Sequence, residues 1–288
     1  MVKIYQRHRQ RVEEVAEYQA NLIQFLYQSK RGQKLLPIVT HPWFSTIYVL
    51  ADYLPTSQKK IQAFVDNYQM DLSLYEKQTY QHYAAFFQRK LTPKALSLVS
   101  PPDILAVAQA KLLVLPISKD LGLTIKGQHY QLEALLQDAT LAQAFVGGML
   151  CVYRLGLEDY HRYLVAESGT IVAEKQIKGK LHSVRDAVHS KFAIFKENKR
   201  SYTIIETEDG QRVMQMEIGA LLVGKINNHP RVQLERGQEK GYFSLGGSTI
   251  LVAYPAQTLQ FDQDILYYSN LGIETQVQIG ERIGVHHA

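Results

Sequence analysis

Ser248 follows two glycines in the stretch GYFSLGGSTILVAYP, residues 241–255. A Gly-Ser bond sets a hydroxyl one carbon from its own backbone, next to a carbonyl that no side chain shields. Once relieved of its proton, such a hydroxyl can attack the Gly247 carbonyl. A neutral hydroxyl is a poor nucleophile, so this step needs a base and a stabilised oxyanion. The plainer reading is a β-hairpin turn, since two β-prone runs flank Gly246 and Gly247 and paired glycines supply the positive φ angles of tight turns. Taken alone, these residues favour the turn.

Other reactive residues carry weaker signals. His161 stands beside Asp159 and Arg162 in EDYHRY, residues 158–163, where a lone histidine more often serves structure than catalysis. Asp103 follows Pro101-Pro102 and suits a turn as well as a reaction. No His or Glu pair has metal-ligand spacing, so no metal is expected, and His286-His287 read as a disordered end. Cys151 is the only cysteine, which leaves no internal disulfide and fits a reducing compartment. There is no phosphate-cradling glycine loop and no GxSxG elbow, and no nucleic-acid partner is expected.

The elements that must hold these residues divide the chain near residue 90. Residues 1–90 read as a helical, membrane-associating region: Val12, Val15, Ala16, Leu22, Ile23 and Leu26 recur at helical spacing. A second helix is expected in HPWFSTIYVLADYL (41–54), with Pro42 in its first turn, and a third in PTSQKKIQAFVDNY (55–68), with Ser57 as N-cap. Residues 91–288 read as β-rich, with one clear helical stretch at 130–146 and a hairpin at Asp209-Gly210. The expected class is α+β, an N-terminal helical layer followed by a mostly antiparallel β domain.

Charge is uneven. The net charge is +5, yet residues 1–100 hold 13 Lys or Arg against 7 Asp or Glu. That surplus invites an anionic partner, although a solvated basic surface accounts for it too. Trp43 and Phe44 lie near Lys30, Arg31, Lys34, Lys59 and Lys60, so the 41–54 segment suits either a membrane interface or packing on its own core. The charged residues near the start argue against a secretory signal, and no run of apolar residues is long enough to span a bilayer.

Read in order, FFQRKL (86–91), VSPPD (99–103), IKGQHYQLEALL (125–136), DYHR (159–162), FKENKRSY (195–202), MEIGALLVGKI (216–226) and EKGYFSLGGSTILV (239–252) form a succession that resembles the phosphatidylserine decarboxylases, in their bacterial, non-transmembrane form. The resemblance runs from about residue 26 to the end. It implies a proenzyme that cuts itself between Gly247 and Ser248 and turns Ser248 into an N-terminal pyruvoyl group, the covalent cofactor. It also implies decarboxylation of phosphatidylserine to phosphatidylethanolamine, with His161 handling substrate. Asp103 would relay the base of self-cleavage. An anionic membrane surface at the cytoplasmic face and a homodimer are implied as partners.

The pattern breaks near the reaction. Leu164 stands where the family's DYHRxH motif has its second histidine, the base for self-cleavage, and leucine accepts no proton. Asp103-Ile104 replaces Asp-Gly, and SVRDAV (183–188) replaces Ser-Val-Asn-Pro. Three readings follow. Another base serves, His161, His182 or His189; or the chain stays uncleaved and acts as a lipid-binding or assembly protein; or it decarboxylates another amino acid.

Overall fold

The computed structural model describes residues 1–287 apart from 16–19, 185–187, 189–191, 222–224 and 247. The strands in chain order are β1 (Val2–Gln6), β2 (Arg11–Val15), β3 (Asp103–Leu105), β4 (Ala110–Pro116), β5 (Gly122–Ile125) and β6 (Gln128–Gln131). They continue with β7 (Met149–Leu155), β8 (Arg162–Leu164), β9 (Gly169–Ile177), β10 (Arg200–Glu206), β11 (Arg212–Gly219) and β12 (Lys225–Asn228). The last are β13 (Gln233–Leu234), β14 (Glu239–Ser244), β15 (Ser248–Tyr254), β16 (Leu259–Phe261), β17 (Glu274–Val277) and β18 (Arg282–His286). Among the described residues one sheet has ten strands in the order β13-β9-β10-β11-β15-β7-β4-β17-β1-β2. Only β1 on β17 is parallel. Two three-stranded sheets, β12-β14-β8 and β16-β18-β3, and the pair β5-β6 complete the strands. This is the expected α+β class with a mostly antiparallel sheet.

Strand β15, STILVAY, pairs with β11 on one side and β7 on the other, and every residue in it is buried. Such a strand reads as continuously apolar because both its faces are covered. One cover is the small sheet containing β8. Gln215 on β11 accepts from the Ala166 amide (3.1 Å) and donates to the Leu164 carbonyl (2.9 Å). Glu217, two residues on, meets Lys240 Nζ at 2.7 Å and Asn228 Nδ2 at 2.9 Å. Side chains two apart on a strand share a face. Register pairs Ser248 with Gly219 and Ile250 with Glu217, so Ser248 faces this same layer.

The helices α1 (Ala20–Gln28), α2 (Lys30–Val39), α3 (Pro42–Leu50), α4 (Lys59–Tyr68) and α5 (Tyr83–Phe87) occupy the N-terminal region. Ser29 caps α2 by accepting from the Gly32 amide at 2.9 Å. A Cβ on Gly32 would meet the Phe25 carbonyl at 2.1 Å, so only glycine lets α1 and α2 approach this closely. Pro42 opens α3 as expected, and the His41 ring accepts from the Trp43 amide at 3.3 Å. On α3, Ser45 and Val49 are buried while Trp43, Ile47, Tyr48 and Leu50 are exposed. Among the described residues no helix is long and apolar enough to cross a membrane.

Several local expectations give way. Val12 and Val15 lie on strand β2, not on a helix, because Gln10 reverses the chain at φ 50° and β2 pairs antiparallel with β1 at the sheet edge. Ala16 lies outside the described residues; Leu22, Ile23 and Leu26 do sit on α1. The 130–146 stretch is split into α6 (Leu132–Leu136) and α7 (Ala139–Ala142), since Gln137 turns at φ 53° and Asp138 caps the second piece. A further helix, Gln263–Asn270, was not anticipated. Ser57 does not cap α4; its hydroxyl donates to the Asp52 and Leu54 carbonyls. The Asp209-Gly210 hairpin forms between β10 and β11, with Gly210 at φ 78°.

Candidate active site around Ser248

The run 241–255 is not a hairpin. Its first arm, β14, pairs with β12 and β8 in the small sheet, and its second, β15, pairs with β11 and β7 in the large one. The chain between them is a crossover from one layer to the next. Leu245 has φ 44° and Gly246 has φ 99°. Two successive left-handed residues, one of them a branched side chain, make a strained turn costing about 1 to 2 kcal/mol at Leu245. Gly247, the carbonyl side of the expected cleavage bond, lies outside the described residues. Ser248 is fully buried, and its hydroxyl has no hydrogen-bond partner among the described residues. An orphaned hydroxyl of this kind costs about 1 to 3 kcal/mol to bury.

His161 ends the loop that leads into β8. Its Nδ1 lies 2.9 Å from the Asp159 carbonyl oxygen, which only accepts, so Nδ1 carries the proton. Nε2 therefore keeps its lone pair, and it has no hydrogen-bond partner among the described residues. Burial, with the Arg89 cation nearby, pushes the imidazole down to about 3, so the ring is neutral at physiological pH. The ring sits 4.1 Å from that of Phe87, and Phe87 packs with Leu245 in one small apolar cluster. The Phe243 amide also donates to the His161 carbonyl at 2.9 Å. His161 thus borders the crossover that delivers Ser248.

A buried charge cluster fixes this loop. The Asp159 carboxylate accepts from the Gly156 amide at 2.6 Å and from Lys111 Nζ at 2.7 Å, and Lys111 also reaches Glu158. Burial pushes the Asp159 carboxyl up to about 6. Gln109 accepts from the Tyr160 amide at 3.0 Å. Arg89, almost fully buried, donates to the Glu158 (3.2 Å) and Asp159 (3.0 Å) carbonyls and lies over the rings of Tyr75 and Phe86. Lys111, Gln109 and the role of Arg89 escaped the sequence reading. Only FFQRKL offered a signal, as a stretch without an assigned partner.

The remaining candidates fall elsewhere. Asp103 opens β3 in the separate β16-β18-β3 sheet, with its carboxylate 3.5 Å from Arg282 Nε and its carbonyl 2.5 Å from an Arg236 nitrogen. Pro101 and Pro102 border a groove with Tyr254 and Pro255, at the far end of β15 and roughly 20 Å along the strand from Ser248. The fold does not bring Asp103 to His161 or Ser248. Leu164 is buried in β8, its amide on the Val107 carbonyl and its carbonyl on Gln215. His182 is buried 3.3 Å from the Tyr27 hydroxyl and 3.5 Å from Glu197, and burial lowers its pKa. Asn198 donates both to the His182 carbonyl and to that of Gly219, the strand neighbour of Ser248. His189 lies outside the described residues. No cluster of metal ligands occurs among the described residues.

A cavity of about 410 Å³ opens onto the crossover. Leu245 and Gly246 form its inner wall, Phe87 and Leu157 line it beside the His161 loop, α3 and α4 contribute Tyr48, Lys60 and Phe64, and Asp52 comes from the 3-10 turn that follows α3. The volume is that of a small-molecule site. Exposed apolar side chains, Ile47, Leu50, Tyr53 and Leu54, project from the same helical segment.

Comparisons with known proteins show the family of the chain. The family model for phosphatidylserine decarboxylase matches residues 83–285. The chain is 35% identical over 285 residues to phosphatidylserine decarboxylase proenzyme 2 of Clostridium acetobutylicum, covering 98% of each chain. It is 35% identical over 294 residues to the phosphatidylserine decarboxylase proenzyme of Clostridium perfringens, covering 99% of each. Against that of Desulfitobacterium hafniense the figure is 35% over 297 residues, with 100% of this chain and 99% of the relative covered. With similarity along its whole length and the family match spanning the Ser248 crossover and the His161 loop, the chain belongs to the phosphatidylserine decarboxylase family.

Proposed function

We propose that the chain cuts itself between Gly247 and Ser248, converts Ser248 into a pyruvoyl group, and decarboxylates phosphatidylserine to phosphatidylethanolamine at a membrane surface. The observation that carries this reading is Ser248 itself, a fully buried hydroxyl without a partner among the described residues, entering a central strand after a left-handed turn. The relatives at 35% identity are named as proenzymes of this decarboxylase, which supports the same reading.

Leu164 offers no base, so the proton of Ser248 goes to another acceptor. His161 is the best suited: it borders the crossover, is neutral at physiological pH, and has its Nε2 lone pair uncommitted. A pKa pushed down to about 3 makes it a weak base. Self-cleavage happens once per molecule, so a rate lowered about 10²- to 10⁴-fold still delivers the product. Removal of the proton lets the hydroxyl oxygen attack the Gly247 carbonyl, and the acyl group moves from nitrogen to oxygen; β-elimination then releases the Gly247 carboxylate, and water hydrolyses the resulting imine with loss of ammonia to leave the ketone. Strain at Leu245 favours a rearrangement that frees the turn.

The pyruvoyl group, when present, supplies an electrophilic carbonyl that draws electrons from the breaking carbon–carbon bond. The chain's residues do the rest. The cavity beside Gly246 admits the headgroup and holds it away from bulk water, and His161 borders the place where a proton returns to the α-carbon. The exposed Trp43, Ile47 and Leu50 of α3, preceded by Lys30, Arg31 and Lys34 on α2, suit an anionic bilayer.

Denaturing mass spectrometry of the purified protein tests the reading. Cleavage releases residues 248–288, 41 residues, a fragment of roughly 4.7 kDa. A single intact mass after prolonged incubation would remove the electrophile and with it the proposed reaction.

A further inference from the structure

The cavity that reaches Gly246 is lined mostly by apolar and aromatic side chains, and among its described lining residues Lys60 is the one cation. Its place is fixed. Nζ donates to Asp52 Oδ1 at 2.6 Å and lies 6.0 Å from the centre of the Tyr83 ring. Asp52 is in turn held: its side chain is 11% exposed, and the Ser57 hydroxyl donates to its carbonyl. Lys60 keeps 53% of its side chain exposed, which puts it at the mouth of the cavity, not its floor.

An ammonium has three donors. One is committed to Asp52, and Lys60 makes no other hydrogen bond among the described residues. Two N–H groups therefore remain for an anion arriving at the mouth. Tyr53 and Leu54 of the neighbouring segment are both exposed, and the cavity is lined by Leu245 and Gly246, which precede Ser248 in the chain. The order from outside inward is apolar surface, cation, then an apolar wall that ends at Gly246, two residues before Ser248 in the chain.

Resting on the decarboxylase reading, we infer that Lys60 is the phosphodiester subsite of the substrate, the contact that selects a phosphate-bearing serine headgroup over free serine. A glycerophosphoserine group laid along this order places its glycerol side toward the exposed apolar residues, its phosphate on Lys60 and its amino acid toward Ser248. Asp52 serves as a positioning residue that keeps the ammonium on the cavity wall. A phosphate held by a charged donor in an apolar setting gains more than one in open solvent.

The test uses full-length protein carrying Ser248→Ala, so that binding is read without self-cleavage or turnover. Isothermal titration with glycerophosphoserine, inorganic phosphate and serine separates the sources of the anion. Glycerophosphoserine should bind, with serine and inorganic phosphate each at least about tenfold weaker, and Lys60→Gln should weaken glycerophosphoserine about tenfold. Lys60→Arg should retain most of the affinity. Equal binding by the Lys60→Gln variant, no detectable binding by its parent, or inorganic phosphate binding as well as glycerophosphoserine would each overturn the subsite. Failure of the unmutated chain to cleave itself is a separate result, visible by mass, and bears on the decarboxylase reading alone.

Discussion

Arg89 and Arg162 each grip the backbone of the segment that carries the other. The Arg89 guanidinium donates to the carbonyls of Glu158 and Asp159, and the Arg162 guanidinium donates to those of Gln88 (2.9 Å) and Arg89 (3.2 Å). Arg162 also pairs with Glu239 on β14 at 2.8 Å. Two segments about seventy residues apart are thereby locked side by side, with Phe87 of one against His161 of the other. A planar guanidinium with several donors suits this task in a way that a lysine does not.

Replacing Arg89 by methionine keeps an apolar stem against Phe86 and Tyr75 but leaves the buried Asp159 carbonyl and the partly buried Glu158 carbonyl without this donor. The expected cost is about 3 kcal/mol of stability, read as a shift in the urea midpoint in the Ser248→Ala background. Cleavage of the otherwise unmutated chain should slow as His161 loses its support. A stability change under about 0.5 kcal/mol would show that the clasp is not holding the loop.

His161 should make stability depend on pH. The folded imidazole is held down to about 3, whereas the unfolded one titrates near 6.5. Its contribution is present above about 6.5 and is lost as pH falls toward 3, because the unfolded chain takes up a proton that the folded chain refuses. Between pH 7 and 5 this amounts to about 2 kcal/mol. His161→Gln in the Ser248→Ala background should flatten that part of the profile. A profile unchanged by the substitution would mean that the ring is not buried as a neutral group.

Leu164→His restores a proton acceptor to β8, on the layer that Ser248 faces. Self-cleavage should accelerate by about 10²-fold, followed as loss of the intact mass over time. Leu164→Asn, polar but without a useful basic group, is the control. Equal rates for the histidine and asparagine variants would place position 164 out of reach of Ser248.

Trp43, half exposed at the start of α3, should insert into a bilayer interface. Flotation with anionic vesicles is expected to fall roughly tenfold on Trp43→Ala and to weaken further with salt. Neutral vesicles should bind poorly. Indifference to vesicle charge would count against the electrostatic part of this account.

Local signals in the chain carried far. The Asp209-Gly210 pair marks a hairpin because Gly210 takes the left-handed conformation that lets the loop between Glu206 and Arg212 turn. Pro42 set the start of α3 for the same kind of reason. The order of short motifs points to the family that the comparisons show.

What required the tertiary structure is whatever depends on pairing between distant residues. The arms of 241–255 look like a hairpin locally, yet β14 is claimed by β8 and β12 while β15 is claimed by β7 and β11. Asp103 resembles a relay by its neighbours in sequence, but strand pairing with β18 draws it toward Arg282. Lys111 and Gln109 carry no motif at all, and they matter only because β4 runs beside the loop that holds His161. Side-chain type and close spacing are written in the chain itself. Which layer covers a strand, and which cation meets which carboxylate, is decided by the burial of the whole sheet, where contacts far apart in sequence outweigh local preference.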